Sequence, residues 1–195
     1  MIKNFIYLHV LRRNLHAGHR TKLQNRIVMT SNVLKITYTT YSSLGELPAE
    51  DRELAESAIK AIGGSYAPYS KFNVGAAVRL SDGEIITGAN QENAAYPSGL
   101  CAERTAMFYA NASHPGCAMT SIAIAASQGG KLCSEPATPC GQCRQVMAEY
   151  QSNGGRPMSI ILVGSSRIYK FDSVECILPF IFDSLDPGKQ PQATE

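Results

Sequence analysis

The sequence predicts an α/β fold, a three-layer α-β-α arrangement around a central mixed five-stranded sheet. Helical and extended patterns alternate along the chain, an Asp-Gly pair sits between two of the extended runs, and two short apolar runs each follow a helical segment. Strands that are apolar throughout need cover on both faces, which places helices above and below one sheet.

The first element is a helix over residues 49–62. Leu54, Ala55, Ala58, Ile59 and Ile62 share one face, Asp51, Glu53, Glu56 and Lys60 lie elsewhere, and Gly63-Gly64 ends the pattern. Residues 72–80 and 85–87 flank Ser81-Asp82-Gly83 and read as an antiparallel hairpin. Residues 101–112 read as a helix, 121–126 as a buried strand, 140–151 as a helix and 158–163 as a second buried strand. A last strand over 167–171 follows the turn Gly164-Ser165-Ser166, and the polar tail at 187–195 is expected to fray. Ligands on such sheets gather where strands run into helices. Two candidate helix starts, Pro97-Ser98-Gly99-Leu100-Cys101 and Thr138-Pro139-Cys140, both end in cysteine.

The 195 residues fit one domain with an appendage, and 44% hydrophobic with 17% charged residues is the balance of a folded chain. No stretch approaches the roughly 18 uninterrupted apolar residues of a spanning helix, so no membrane partner is expected. Charge is unevenly placed. Residues 1–45 carry seven basic residues (Lys3, Arg12, Arg13, Arg20, Lys22, Arg26, Lys35) and no acidic one, whereas the remainder carries a net −5. The folded body is therefore expected over 46–186, behind a basic extension at 1–45. That extension resembles an organellar transit peptide in lacking acids; it reads equally as an unstructured arm, or as the product of an upstream start with Met29 as the working one. A cytosolic location is expected, or a mitochondrial or other organellar one if 1–45 directs transit. Nucleic acid is not an expected partner, because a basic arm without interleaved aromatics offers only non-specific phosphate attraction and the body is acidic.

Six cysteines invite a disulfide reading, but nothing marks the chain for export and it has apolar residues enough to fold without staples. Cys140-Gly141-Gln142-Cys143 lies at a helix start, where the dipole and free N–H groups stabilise thiolates. Taken alone it is half a metal site, a redox pair or a coincidental pair of core cysteines. Cys101-Ala102-Glu103 adds a third thiolate and a carboxylate at another helix start. Three protein ligands with one open position is the arrangement of catalytic zinc, one ion per chain, and Glu103 is placed to take up and carry the proton of its exchangeable water. Without the cysteines Glu103 would be an ordinary first-turn glutamate. Zinc on three thiolates is a net −1 centre and a weak Lewis acid, and Arg104 and Arg144, each next to a motif residue, are the cations available to offset it by hydrogen bonding to sulfur; each reads alternatively as a surface arginine, for Arg144 with equal weight. Cys117, Cys133 and Cys176 read as small buried hydrophobes.

The chain resembles the small homotetrameric cytidine deaminases. The resemblance runs over residues 47–185 and rests on Pro68-Tyr69-Ser70-Lys71-Phe72, on Gly88-Ala89-Asn90-Gln91-Glu92-Asn93-Ala94-Ala95-Tyr96-Pro97, and on Cys101-Ala102-Glu103-Arg104, Pro139-Cys140-Gly141-Gln142-Cys143-Arg144 and Leu178-Pro179-x-x-Phe182. The general zinc-deaminase signature and its three-cysteine variant are known patterns. The resemblance implies that Cys101, Cys140 and Cys143 bind zinc, that Glu103 shuttles protons, and that the Ala102 amide contacts the base. It implies that Asn90 and Glu92 hold the ribose 3′-hydroxyl and that Phe72 stacks on the base. Ala94, Tyr96 and Phe182 would contribute to pockets shared between subunits of a homotetramer. The implied activity is hydrolytic deamination of cytidine and deoxycytidine in pyrimidine salvage. Competing readings are a relative acting on another aminopyrimidine, a structural zinc module, which needs a fourth ligand, and a polynucleotide editor, against which a cysteine as first ligand argues.

Overall fold

The computed structural model describes residues 31–182; the expectations for 1–30 and for the tail at 187–195 fall outside the described residues. Residues 31–38 carry no regular structure, and the elements that follow are β1 (Thr39–Tyr41), α1 (Ala49–Ala61), β2 (Phe72–Leu80), β3 (Ile85–Ala89), α2 (Ala102–Ser113), β4 (Met119–Gln128), β5 (Lys131–Leu132), α3 (Gly141–Gly154), β6 (Ser159–Val163) and β7 (Ile168–Phe171). The strands form one sheet in the order β1-β7-β6-β4-β2-β3, with β5 paired to β4.

The sheet is mixed for a local reason. β2 and β3 meet through the Asp82-Gly83 turn and pair antiparallel, Ala77 opposite Thr87, whereas β4 and β6 are joined through α3 and pair parallel, Ala123 opposite Ile161. Period-two alternation sorts the apolar run of β4 between two cores. Ile122 and Ile124 face α2 and α3 together with Met107, Met147, Ile160 and Leu162. Ala123 and Ala125 face α1 with Leu54, Ala58, Ile161 and Val163. This is the three-layer arrangement expected, with α1 on one face and the two cysteine-bearing helices on the other.

The strand count differs from the expected five: the sheet has seven. The two additions, β1 and β5, are three and two residues long, too short to show periodicity. β1 also lies within the segment read as the basic extension. It pairs antiparallel with β7, Thr40 opposite Tyr169, and the preceding Tyr38 packs its ring edge-on to Tyr169 at 5.3 Å between centroids.

The spacing of the layers is set by glycine. A Cβ on Gly75 would collide with the Ala58 carbonyl of α1, and one on Gly88 would lie 2.5 Å from the Ala106 nitrogen and 2.9 Å from the Ala102 carbonyl of α2. Helix α2 therefore rests directly on the β3 backbone, at the turn that carries Glu103. Gly88→Val is expected to push that turn off the sheet, lowering stability by about 1–3 kcal/mol through overpacking and activity further. Thermal melting with an activity assay on the surviving folded fraction checks it.

Candidate active site

The site begins at two helix N-termini. Cys101 precedes α2 with φ −71° and ψ 153°, Cys140 precedes α3 with φ −68° and ψ 166°, and neither side chain caps its own helix. Both occupy the position where serine or aspartate would turn back onto the amides; their sulfurs instead meet each other. Cys101 Sγ lies 3.9 Å from Cys140 Sγ, and Cys140 Sγ lies 3.5 Å from Cys143 Sγ. Cys143 is in the first turn of α3 and wholly buried.

Zinc fits this cluster. Tetrahedral coordination with metal–sulfur bonds of about 2.3 Å sets sulfurs about 3.8 Å apart, and all three sulfurs lie within 4.8 Å of one another. Among the described residues no fourth His, Cys, Asp or Glu joins the group, which leaves a position for water or substrate. The thiols share protons unevenly. Hydrogen bonding with Cys143 holds Cys101 down at about 5, while Cys143 is pushed up by its bond to Cys101 and by burial. A divalent cation favours the thiolate form of all three. All six cysteines are free of disulfides.

Glu103 stands one residue inside α2, 4% exposed. Burial pushes its carboxyl pKa above the ordinary value, and the neighbouring Cys101 thiolate adds to the shift. Arg104 donates from Nη2 to Cys101 Sγ at 3.7 Å, and its buried Nε has no partner. Arg144 does not repeat the pattern. Its Nε donates to the Pro139 carbonyl at 2.9 Å and its Nη1 to the Ile177 carbonyl at 2.8 Å. One residue past Cys143, its side chain leaves the helix about 100° around from the sulfur, which corrects the expectation that it bonds to sulfur.

A cavity of about 750 Å³ opens over the cluster, lined by Cys101, Ala102, Glu103, Arg104 and Cys140 together with Phe72, Asn90, Glu92 and Tyr96. Of the residues singled out from the sequence, Cys143, Arg144, Ala94 and Phe182 are not among its lining. Ala94 is exposed nearby, and Phe182 is 67% exposed, its carbonyl accepting from Gln145 Nε2 at 2.5 Å. Tyr96 is 78% exposed and meets Tyr69 edge-to-face at 6.3 Å.

Asn90 is braced on three sides. Its Oδ1 accepts from the Val74 amide at 2.8 Å and the Ser65 hydroxyl at 2.5 Å, and its Nδ2 donates to the Phe72 carbonyl at 2.9 Å, leaving one amide hydrogen uncommitted. Glu92 Oε2 accepts from the backbone amides of Tyr69 at 2.9 Å and Ser70 at 3.3 Å. Hydrogen bonds from the Ser70 hydroxyl and the Tyr69 amide hold the Glu92 carboxyl below its ordinary range. Ser65, Tyr69 and Ser70 went unassigned from the sequence because their contribution is largely a matter of backbone placement. The turn that carries them includes Lys71 at φ 57°, a left-handed conformation that nothing in the local sequence announces.

Comparison with known proteins agrees with this geometry. Residues 48–154 match the family model described as the cytidine and deoxycytidylate deaminase zinc-binding region. A cytidine deaminase of Halalkalibacterium halodurans is 49% identical over 100 residues, 51% of this chain and 71% of that protein. The crystal structure of a cytidine deaminase from Burkholderia pseudomallei superposes with a TM-score of 0.57 at 39% identity, covering 67% of this chain and 97% of that one. That from Mycobacterium tuberculosis superposes at 0.55 with 32% identity, covering 70% and 100%. With its three sulfurs, its buried glutamate and more than half of its length matched, the chain belongs to the cytidine and deoxycytidylate deaminase family.

Proposed function

We propose that the protein hydrolyses cytidine and deoxycytidine to uridine and deoxyuridine with release of ammonia, in cytosolic pyrimidine salvage. The observation that carries this is the meeting, in one cavity, of Glu103 and the sulfur cluster with Asn90 and Glu92 on the opposite sequence segment. Cys101, Cys140 and Cys143 hold zinc, which when bound supplies the Lewis acidity that brings the pKa of water toward neutrality.

The remaining work falls to the chain itself. Glu103 takes a proton from the attacking water and delivers it to N3 of the cytosine ring, which makes C4 electrophilic. It then carries the second proton to the amino group that leaves as ammonia. Burial raises its pKa above the ordinary carboxyl value, the direction that favours a group able to hold a proton as well as give it up. The Ala102 amide, a first-turn donor of α2, is available to the base carbonyl, and Phe72 offers its ring to the base. Asn90 presents its spare amide hydrogen and Glu92 its second oxygen to the ribose 3′-hydroxyl. Neither reaches for the 2′-position, so both nucleosides are accommodated.

Glu92 also bears on nucleotides. The family model covers nucleoside and nucleotide enzymes alike, but a carboxylate held ionised beside the ribose repels a 5′-phosphate. The protein assembles as a homotetramer with shared sites, a reading supported by the exposure of Tyr96 and Phe182. A substrate series followed by ultraviolet absorbance tests the assignment. Cytidine and deoxycytidine are expected to turn over, and the 5′-monophosphate and free cytosine to be at least about tenfold poorer in kcat/KM. Preference for the monophosphate would overturn the reading of Glu92.

A further inference from the structure

We infer that Arg144 is a positioning residue that acts through the shape of its guanidinium rather than through its charge, fixing the zinc-binding turn to the C-terminal segment. The inference rests on the three-cysteine zinc reading. Cys140 lies in a turn between two cavities, itself exposed and flanked by a buried Pro139. On one side Ala137, Thr138 and Cys140 face the substrate cavity. On the other, Thr138, Pro139 and Arg144 border a second cavity of about 500 Å³, which Phe171 and Ile177 also line. Buried Pro139 packs, but exposed Thr138 and Cys140 have open space beside them, so hydrogen bonds to the turn's backbone bear on where Cys140 sits. At its upstream end the loop is tied down, since the Ser165 amide donates to the Cys133 carbonyl at 2.9 Å and the Ser166 amide to the Ser134 carbonyl at 3.0 Å. At its downstream end the carbonyl of Pro139, next to the ligand, is held by Arg144 Nε.

The same guanidinium reaches across to Ile177 with Nη1. Two donors on one rigid plane thus set the distance between the ligand turn and residues 174–182. Gln151 secures that segment further along, accepting from the Val174 amide at 3.0 Å and donating to Glu175 at 2.8 Å, and Gln145 secures its end at Phe182. Of these three α3 side chains, Arg144 alone also touches the ligand turn. A lysine in its place keeps the charge but is a point donor without the fork, so it cannot span both carbonyls.

The test is the rate at which zinc passes from the purified protein to an excess of chromogenic chelator. Wild-type protein carrying no zinc would sink the metal reading itself, and is established first. With zinc present, Arg144→Lys is expected to release it at least about tenfold faster than wild type, the size of effect seen when groups orienting metal ligands are lost. Gln145→Ala, which loses the contact with Phe182, is expected to release it at the wild-type rate. Wild-type release from the lysine protein overturns the inference, because charge at position 144 would then suffice. Equal acceleration by Gln145→Ala overturns it too, because loosening the C-terminal segment would then suffice. If the lysine protein does not fold, Arg144→Met, which keeps the aliphatic reach and removes both donors, takes its place under the same expectation, and its release of zinc at the wild-type rate overturns the inference.

Discussion

Glu103→Ala is expected to lower kcat/KM for cytidine by about 10²- to 10⁴-fold, the usual contribution of a positioned acid–base group, while zinc stays at about one ion per chain. The carboxyl lines the cavity but is not a member of the sulfur cluster, so its removal leaves the ligands in place. Stability should not fall. A carboxyl whose pKa is raised by burial contributes unfavourably when ionised, and alanine is the better helix former at that position. Turnover, zinc content and melting temperature measured on one preparation separate these effects. Retention of activity within about tenfold of wild type would remove Glu103 from proton transfer.

Cys143→Ala should be the more damaging change, because Cys143 serves packing and ligation at once. It is wholly buried among residues of α2, α3 and the sheet, and its sulfur completes the cluster that joins the starts of the two helices. Zinc is expected to fall well below one ion per chain. A ligand present at about a thousand times its dissociation constant stabilises by about 4 kcal/mol, and each kcal/mol is worth about 2–4 °C in a domain of this size. The melting temperature should therefore drop by about 10 °C, as should that of wild type stripped with a chelator. Alanine avoids burying the unsatisfied hydroxyl that serine would introduce. Full zinc loading of Cys143→Ala would mean that the ligand set has been misassigned.

Much of the architecture was legible because its signals are periodic or local. β2 spans Phe72–Leu80, the bounds read from its apolar run and the following Asp-Gly turn. The two helices at the site begin one residue after Cys101 and Cys140, since the cysteines occupy capping positions rather than helical ones. β1 and β5 were invisible for want of length, and β1 also for its setting in a basic stretch. At the site, the meeting of Cys101, Cys140 and Cys143 beside Glu103 could be anticipated from spacing, because metal-ligand chemistry restricts the residue type. The anchoring of Glu92 by two backbone amides could not, since any residue supplies an amide, nor could the bond from Ser65 to Asn90, which spans 25 positions. Arg144 shows the limit most directly. Its neighbour in the chain, Cys143, belongs to the sulfur cluster, yet its partners are carbonyls at 139 and 177, fixed by helix geometry and by the course of a segment 33 residues away.

The central claim is that water displaces the cytosine amino group under the control of Glu103 and the three cysteines. The most direct measurement is to incubate cytidine with the zinc-loaded protein in ¹⁸O-enriched water, and to determine ammonia together with the mass of the nucleoside product. Uridine carrying the heavy oxygen at C4, with one ammonia released for each uridine formed, is the predicted result. Unchanged cytidine, or a product formed without ammonia, would contradict it.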